Sequence, residues 1–214
     1  AFGGARDGES IPEADPGDAI RRAVGVERSI GSVVYAASEV VEPGVIELES
    51  TDARLILGEP DNRITPRLQA IAQAVAAGGL AAPVTQEIRR EVFGKFLGNA
   101  MSGPLCILAR SDMATVLAEE APRHAARAVA AEVVALSDAY GWRVAADPEA
   151  RVQRSMNMHH KPSILQDLEA GRPMEIAVLY DAPLRMAREA GVPMPVFELT
   201  TALARQAARA AGLA

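Results

Sequence analysis

The chain contains a single cysteine, Cys106, among its 214 residues, and aromatic residues make up only 4% of the sequence. One cysteine excludes an intrachain disulfide, which is typical of proteins from a reducing compartment. Cys106 lies in the apolar run Pro104-Leu-Cys-Ile-Leu-Ala109, so we interpret it as a buried small side chain and not as a reactive thiol. The scarcity of aromatic residues predicts a core of Ala, Val, Leu and Ile, which favours close-packed helices.

Long apolar runs and clusters of basic residues are also missing. No window approaches about 18 consecutive apolar residues, so the sequence predicts no membrane-spanning segment. The first residues lack the basic-then-apolar order of a signal peptide, and we expect a cytoplasmic location. The net charge is −6 and the arginines are scattered, which argues against a nucleic-acid or anionic-membrane partner.

Motifs that hold phosphate groups or metal ions are absent from the sequence too. No strand is followed by Gly-x-Gly-x-x-Gly or Gly-x-x-x-x-Gly-Lys, so these 214 residues contain no recognisable nucleotide-binding loop. His159 and His160 are adjacent and diverge on a helix, and His124 has no His or Cys one turn away, so we predict no metal site. No serine stands in a Gly-x-Ser-x-Gly elbow, which argues against a serine hydrolase.

The residue pattern of the first part, up to residue 84, mixes helix and strand signals. A short helix is predicted at 18–24, with Asp15 or Asp18 as its cap. Segments 32–41, 45–49 and 53–58 are rich in β-branched residues or alternate apolar with polar residues. They predict two or three neighbouring antiparallel strands joined by short turns. Thr65-Pro66 then opens a helix, which Gly78-Gly79 ends.

From residue 85 onward the apolar residues follow a helical period. Helices are predicted at about 85–109, 112–119, 122–140, 147–158, 161–170, 173–190 and 195–211. We therefore predict a mainly α fold with a small α/β part at 1–84, followed by an all-helical domain at 85–214.

Lys95 and Asn99 are the first candidates for chemistry. On a helix, Ile88, Val92, Lys95 and Asn99 follow one another at steps of four, three and four and share one face. A lysine among apolar neighbours has a lowered pKa and can donate or accept a proton near neutral pH. The alternative is a lysine whose stem lies along the apolar face while its ammonium reaches solvent.

Ser163 and Glu175 form a second set of candidates. Both are predicted just inside helix starts, next to Pro162 and Pro173, while Gly171 suits the end of the helix between them. A hydroxyl and free N–H groups at such a place could hold a carboxylate. The alternative is ordinary helix-terminus chemistry, since Ser and Glu are favoured there whatever the function.

Taken together, these segments resemble the ketopantoate reductase (2-dehydropantoate 2-reductase) family. The matching segments are Arg89-Arg-Glu-Val-Phe-Gly-Lys95 with Asn99, Gly103-Pro-Leu-Cys-Ile-Leu108, Ser163-Ile-Leu-Gln-Asp167, Gly171-Arg-Pro-Met-Glu-Ile176 and Gly191-Val-Pro-Met-Pro195. Upstream, Ile30-Gly-Ser-Val-Val-Tyr35, Glu42-Pro-Gly-Val-Ile46 and Leu57-Gly-Glu-Pro60 are similar as well. The resemblance covers nearly the whole chain in the right order.

The resemblance implies a Rossmann domain that binds NADPH, followed by a helical domain for substrate binding and dimerisation. Residues 1–84 then correspond to the end of the Rossmann domain, and its front lies outside this chain. The family reduces a 2-keto acid, and the resemblance makes Lys95 the general acid. It makes Asn99 and Ser163 substrate-binding residues, and Glu175 a catalytic residue that also contacts the NADP cofactor. The implied partners are a small 2-keto acid and a second copy of the chain.

Three positions depart from the family pattern. Gly103 and Met113 stand where asparagine is frequent, and Met174 stands where threonine is usual. Because a site built on hydrogen bonds discriminates strongly by them, we expect a bulkier or more apolar 2-keto acid than ketopantoate, or a related carbonyl compound.

Two other hypotheses remain. The chain could be a non-catalytic helical module for dimerisation or ligand binding, since it lacks a nucleotide loop and is Ala-rich near its C-terminus. A related dehydrogenase of hydroxy acids or amino-acid conjugates would share the two-domain layout. We expect the 214-residue chain alone to be inactive.

Overall fold

A computed structural model describes residues 8–48 and 52–213 of the chain. These residues form two compact units, the first from 8–10 and 17–92 and the second from 11–16 and 93–213. The division falls between Val92 and Phe93, inside a helix, whereas the sequence pattern changes near residue 84. The predicted fold class, mainly helical with a small strand-containing first part, is confirmed.

The strands of the first unit form two separate antiparallel pairs. β1 (Gly31–Tyr35) pairs with β4 (Arg54–Gly58), and β2 (Ser38–Glu42) pairs with β3 (Val45–Leu48). The expected antiparallel pairing is confirmed, and β2 and β3 are joined by a short turn as predicted, but β1 pairs with β4 and not with its neighbour in sequence. The predicted strand 32–41 breaks after Tyr35, and each half takes a different partner. Residue 49, the predicted end of one strand, lies outside the described residues.

Two glycines allow β1 and β4 to lie directly against Ile88. A Cβ added to Gly31 or to Gly58 would lie 2.6 Å from the Ile88 side chain, which no real packing permits. Val33 and Ile56 pack around Ile88 to form a small core. The glycines in this strand pair are therefore required by close approach of another element.

The helices of the first unit begin and end near the predicted residues. α1 covers Ala19–Val24, and Asp18 precedes it without a side-chain capping bond. α2 covers Pro66–Ala77, and the Thr65 hydroxyl accepts a hydrogen bond from the Leu68 N–H at 3.2 Å. Buried Glu59, whose side chain pairs with Arg67 at 2.5 Å, also binds the Thr65 hydroxyl. This hydrogen bonding holds the pKa of Glu59 below its usual range.

The second unit is helical. Its helices are α3 (Ile88–Ala109), α4 (Met113–Val116), α5 (Glu120–Ala139), α6 (Pro148–Ser155), α7 (Ser163–Glu169), α8 (Ala182–Ala190) and α9 (Pro195–Ala210). One prediction needs correction, because the helix expected at 173–190 begins later, with a π-helical turn at Ala177–Asp181. Glu175 consequently stands just before the helical segment and not inside it.

The few aromatic residues gather in the core of the second unit. Ring contacts connect Tyr140, Trp142, Phe93, Phe96, Phe197 and Tyr180 in that order, with centroids 4.7–6.0 Å apart. Three of these contacts are edge-to-face, and aromatic contacts of these kinds add to the stability that burial of the rings provides. The core predicted from composition, made of Ala, Val, Leu and Ile, is therefore incomplete, since aromatic rings connect several of its helices.

Two carboxylates fix the ends of segments in the second unit. Glu132 on α5 accepts hydrogen bonds from the N–H groups of Val196 and Phe197, both at 2.9 Å, at the start of α9. Glu13 accepts two hydrogen bonds from Arg185 on α8, at 2.7 and 2.9 Å. The second contact explains why 11–16 belong to the second unit although they precede the strands.

By length and apolar composition alone, one helix in the described part of the chain, Ile88–Ala109, could cross a membrane. More than half of its most apolar stretch, 56%, is buried inside the protein, as in the core helix of a water-soluble domain. This is weak evidence for a membrane span, and the cytoplasmic location stays a prediction.

Candidate functional site

Lys95 lies half-buried on α3, between residues that belong to the core. Phe93 and Leu97, two positions before and after it, are buried. Burial lowers the pKa of Lys95, because a charged ammonium loses solvation there, and the negative charge of Glu175 opposes this effect. The structure thus brings two of the predicted residues, Lys95 and Glu175, within electrostatic reach of each other.

Asn99 follows Lys95 by one helical turn and is also half-buried. Gly98, beside it, is approached so closely by the guanidinium of Arg151 on α6 that a Cβ would collide with it. The absence of a side chain at 98 therefore lets a cation lie against the turn of α3 that carries Asn99. Sequence reasoning missed Arg151, and no spacing in the sequence points to it.

Ser163 is the first residue of α7, as predicted, and its side chain is exposed. The next residue, Ile164, is buried and lies 3.4 Å from the position that a Cβ of Gly103 would take. Gly103 is one turn beyond Asn99 on α3. The start of α7 therefore packs against α3 near Gly103.

Glu175 is exposed and its backbone carbonyl accepts a hydrogen bond from the Leu179 N–H at 3.0 Å. The π-helical turn that follows has a cause in the sequence. Pro183, near the start of α8, has no N–H to donate to the Leu179 carbonyl, and its ring crowds that oxygen. A widened turn relieves this crowding, and such turns are frequent at functional sites.

The widened turn carries Tyr180 into the core, and sequence reasoning missed this residue. Its side chain is fully buried, and its hydroxyl lies 2.6 Å from the position that a Cβ of Gly103 would occupy. The phenol therefore stands over Gly103 on the face of α3 that carries Lys95 and Asn99. A glycine in the middle of a helix was the available signal, since it marks close approach by another element.

Comparison with known proteins shows the family to which the chain belongs. Residues 87–208 match the family model described as ketopantoate reductase PanE/ApbA C terminal. The chain belongs to the ketopantoate reductase family. It is 37% identical over 207 residues to the 2-dehydropantoate 2-reductase of Mesorhizobium japonicum, covering 96% of this chain and 63% of that protein.

Solved structures share the fold. A ketopantoate reductase structure from Ralstonia solanacearum MolK2 matches with a TM-score of 0.91 and 30% identity, covering 100% of this chain and 65% of that one. Two more distant structures show the fold alone. D-mandelate dehydrogenase with NADH and anilino(oxo)acetate matches with a TM-score of 0.80 and 18% identity, covering 91% of this chain and 65% of that one. A dimeric ketopantoate reductase from Staphylococcus aureus matches with a TM-score of 0.71 and 16% identity, covering 86% and 63%.

The chain spans a little under two thirds of the length of its relatives in the ketopantoate reductase family. Its departures from the family pattern have different structural meanings. Met113, the first residue of α4, is fully buried in the core. Its side chain therefore packs inside the protein and does not face a bound substrate. Met174 is half-buried against the same core, and Gly103 is buried beneath Tyr180.

The cysteine and His124 have structural surroundings in this member of the ketopantoate reductase family. Cys106 is fully buried, and loss of solvation raises the pKa of its thiol to about 12, which keeps the thiol protonated and unreactive. His124 is exposed beside Glu120 at 3.6 Å. Within residues 8–48 and 52–213, no three His, Cys, Asp or Glu side chains come together as metal ligands would.

The contact between Gly103 and Tyr180 generates a stability prediction. We expect Gly103→Ala to destabilise the protein by about 1–3 kcal/mol, because the added methyl group collides with the Tyr180 hydroxyl. In a Tyr180→Phe background the nearest ring atom would be 3.6 Å from that methyl group, an ordinary contact, so the same change should cost little or stabilise the helix. Urea unfolding of the two single variants and the double variant measures this coupling.

Gly94→Ala is the matched control, since a Cβ at Gly94 on the same helix meets nothing within 4 Å. It should stabilise by about 0.5–1 kcal/mol, as alanine does in place of glycine in a helix. Equal effects of Gly103→Ala in both backgrounds would contradict the contact.

Proposed function

We propose that this chain is the substrate-binding part of a reductase that converts a 2-keto acid to a 2-hydroxy acid with NADPH. The substrate we infer is 2-dehydropantoate or a close relative, because curated relatives carry the name 2-dehydropantoate 2-reductase. The observation that carries the proposal is the half-buried Lys95, whose ammonium lies within the field of Glu175. A lysine in this environment suits proton transfer to a carbonyl oxygen.

The proposed reaction adds a hydride to the carbonyl carbon of the keto acid and a proton to the carbonyl oxygen. Lys95 supplies the proton, so the ammonium becomes an amine and the developing alkoxide becomes a hydroxyl. Burial lowers the pKa of the Lys95 ammonium and so favours loss of this proton, while the negative charge of Glu175 opposes that shift. Glu175 thus acts on the proton donor, in addition to the contact with the cofactor that the family resemblance implies.

Asn99 and Ser163 hold the substrate in this proposal. The Asn99 amide lies one turn from Lys95 and can donate to the carboxylate or the carbonyl oxygen of the keto acid. The Ser163 hydroxyl, exposed at the start of α7, is available to the carboxylate. Holding the keto acid in one orientation relative to Lys95 lowers the entropic cost of the reaction.

The chain provides a residue for the nicotinamide end of the cofactor but no loop for its phosphates. A nicotinamide supplies the hydride when it is bound, and Glu175 is the residue here that we assign to contact it. The sequence offers no glycine-rich loop for the phosphates. We therefore expect the 214 residues alone to lack activity. If the chain is instead a non-catalytic helical module, NADPH should bind neither the 214-residue chain nor the complete protein.

Removal of the Lys95 ammonium tests the proposed proton donor. Lys95→Ala in the complete protein should lower kcat for NADPH-dependent reduction of 2-dehydropantoate by at least about 100-fold, as expected for loss of a general acid. Lys161→Ala is the control, since Lys161 pairs with Glu169 at 2.8 Å on the surface and should leave kcat unchanged. Unchanged turnover in Lys95→Ala would remove Lys95 from this role.

The pH dependence of kcat tests the electrostatic coupling between Glu175 and Lys95. A protonated Lys95 is required, so activity should be present below its pKa and lost as pH rises through it. Glu175→Gln removes the charge that raises this pKa, so the alkaline limb of the kcat profile should move to lower pH. Glu169→Gln, which removes a carboxylate that pairs with Lys161, should leave the limb in place. A limb that does not move in Glu175→Gln contradicts the coupling.

We also propose that a second copy of the chain docks on α9. Leu199 and Leu203 lie one turn apart on this helix and are 61% and 40% exposed, while Thr201, Ala204 and Ala208 on its other side are buried. The ketopantoate reductase from Staphylococcus aureus is described as dimeric, which supports this choice of partner. Two exposed leucines at this spacing form an apolar stripe of the kind that helices use to pair.

The prediction is that Leu199→Asp weakens self-association by at least about tenfold, because an unpaired carboxylate would be buried at the interface. Sedimentation at several protein concentrations measures it. Ile20→Asp on α1, where Ile20 is 63% exposed, is the matched control and should leave association unchanged. A dimer of unchanged stability in Leu199→Asp would exclude α9 as the interface.

A further inference from the structure

The Tyr180 hydroxyl is fully buried and, among the residues that the structure describes, it has no hydrogen-bond partner. A buried hydroxyl without a partner costs free energy, so proteins rarely keep one unless something else uses it. The phenol ring alone would fill the same space, and its edge-to-face contact with Phe197 needs no oxygen. The oxygen therefore calls for a function beyond packing.

The position of this hydroxyl connects it with the proposed site. Lys95, Asn99 and Gly103 follow one another at steps of four residues on α3 and share one face. The hydroxyl lies 2.6 Å from the position that a Gly103 Cβ would take, so it occupies the third place on that face. It supplies there a hydrogen-bond donor that glycine cannot.

We propose that Tyr180 determines substrate specificity by donating a hydrogen bond to an oxygen of the substrate that is remote from the reacting carbonyl. The inference rests on the proposed function, in which Lys95 protonates the carbonyl oxygen. Lys95 and Gly103 are eight positions apart on α3, a rise of about 12 Å between their Cα atoms, so the Tyr180 hydroxyl is placed for a substrate oxygen on the side away from the reacting carbonyl. The substrate is accordingly a 2-keto acid with a hydroxyl or a second oxygen group at its far end.

The Tyr180 hydroxyl changes the substrate expected from Gly103. Glycine at 103 suggested a more apolar substrate, because a polar side chain is missing from α3. The polar group is instead provided from the π-helical turn, five residues after Glu175. The turn that brings Tyr180 inward exists because of Pro183, so a sequence feature distant from α3 compensates for the missing side chain.

The approach to the hydroxyl that we propose passes the Ile164 side chain. Ile164 lies on the α7 side, with its Cγ2 atom 3.4 Å from the same Gly103 position. Rotation of a side chain is common when a ligand binds, and in this proposal rotation of Ile164, which follows Ser163 in the chain, opens the way to the phenol. Burial also raises the pKa of Tyr180, so the phenol keeps its proton and remains a donor at all physiological pH values.

The test compares two keto acids that differ by one hydroxyl, 2-dehydropantoate and 3,3-dimethyl-2-oxobutanoate. In the complete protein, kcat/KM is measured for both substrates with the unaltered protein and with Tyr180→Phe. We expect the preference for 2-dehydropantoate to fall by about tenfold in Tyr180→Phe, since one hydrogen bond is lost with one substrate only. Urea unfolding should show Tyr180→Phe to be at least as stable as the unaltered protein, because a buried hydroxyl without a partner is removed.

Tyr140→Phe is the matched control. Its hydroxyl already donates within the protein, to the Met186 carbonyl at 3.3 Å, so its removal should leave the preference unchanged. An unchanged preference in Tyr180→Phe, or an equal loss with both substrates, overturns the inference. If the unaltered protein reduces neither keto acid, the proposed function fails, and calorimetric binding of the two acids then decides on Tyr180 by the same ratio.

Discussion

Helix α3 runs through the core of the second unit, and the lysine within it cannot be solvated fully. Phe93 and Leu97 on either side of Lys95 must be buried to hold the unit together, and their burial takes water away from the ammonium. The charge of Glu175 offsets part of that loss. Packing and chemistry are therefore set by the same residues, because the interactions that stabilise the helix also adjust the acidity of the lysine.

Glycines decide where other elements can reach α3 and the strands. At Gly98 a guanidinium from α6 approaches the helix backbone, and at Gly103 a phenol does so. In the first unit, Gly31 and Gly58 allow Ile88 to lie directly on a strand pair. Each of these places would be closed by a single methyl group. Close approach, more than side-chain chemistry, explains why glycine is tolerated in helix and strand interiors where it is otherwise unfavourable.

The proposed site depends on the aromatic core behind it. Phe197 contacts Phe96, which is next to Lys95 on α3, and also contacts Tyr180. Its own position is fixed at the start of α9, where Glu132 accepts hydrogen bonds from two backbone N–H groups. A carboxylate at a helix N-terminus is favoured both by these bonds and by the helix dipole. Helix α9 thereby supports the ring that packs against both proposed functional segments.

Local sequence was sufficient for much of the fold. Thr65-Pro66 and Gly78 set the limits of α2, and the apolar period located the helices of the second unit to within a few residues, because caps and periodicity are local properties. It also placed Lys95 and Asn99 on one helix face, which needs only the period of the helix. The prediction of one strand at 32–41 is wrong, because the segment divides into β1 and β2 and the division depends on the partner strand that each half finds.

The sequence by itself determined the family, the helical character of the second unit and the residue types available for chemistry. Only the tertiary structure decided that Glu175 lies within electrostatic reach of Lys95, that Met113 belongs to the core and that Tyr180 stands over Gly103. The physical reason is that burial and electrostatic coupling arise between segments far apart in the chain. A pattern of residues records what each segment prefers, whereas the loss of solvation at Lys95 and the close approach at Gly103 exist only after the segments pack together.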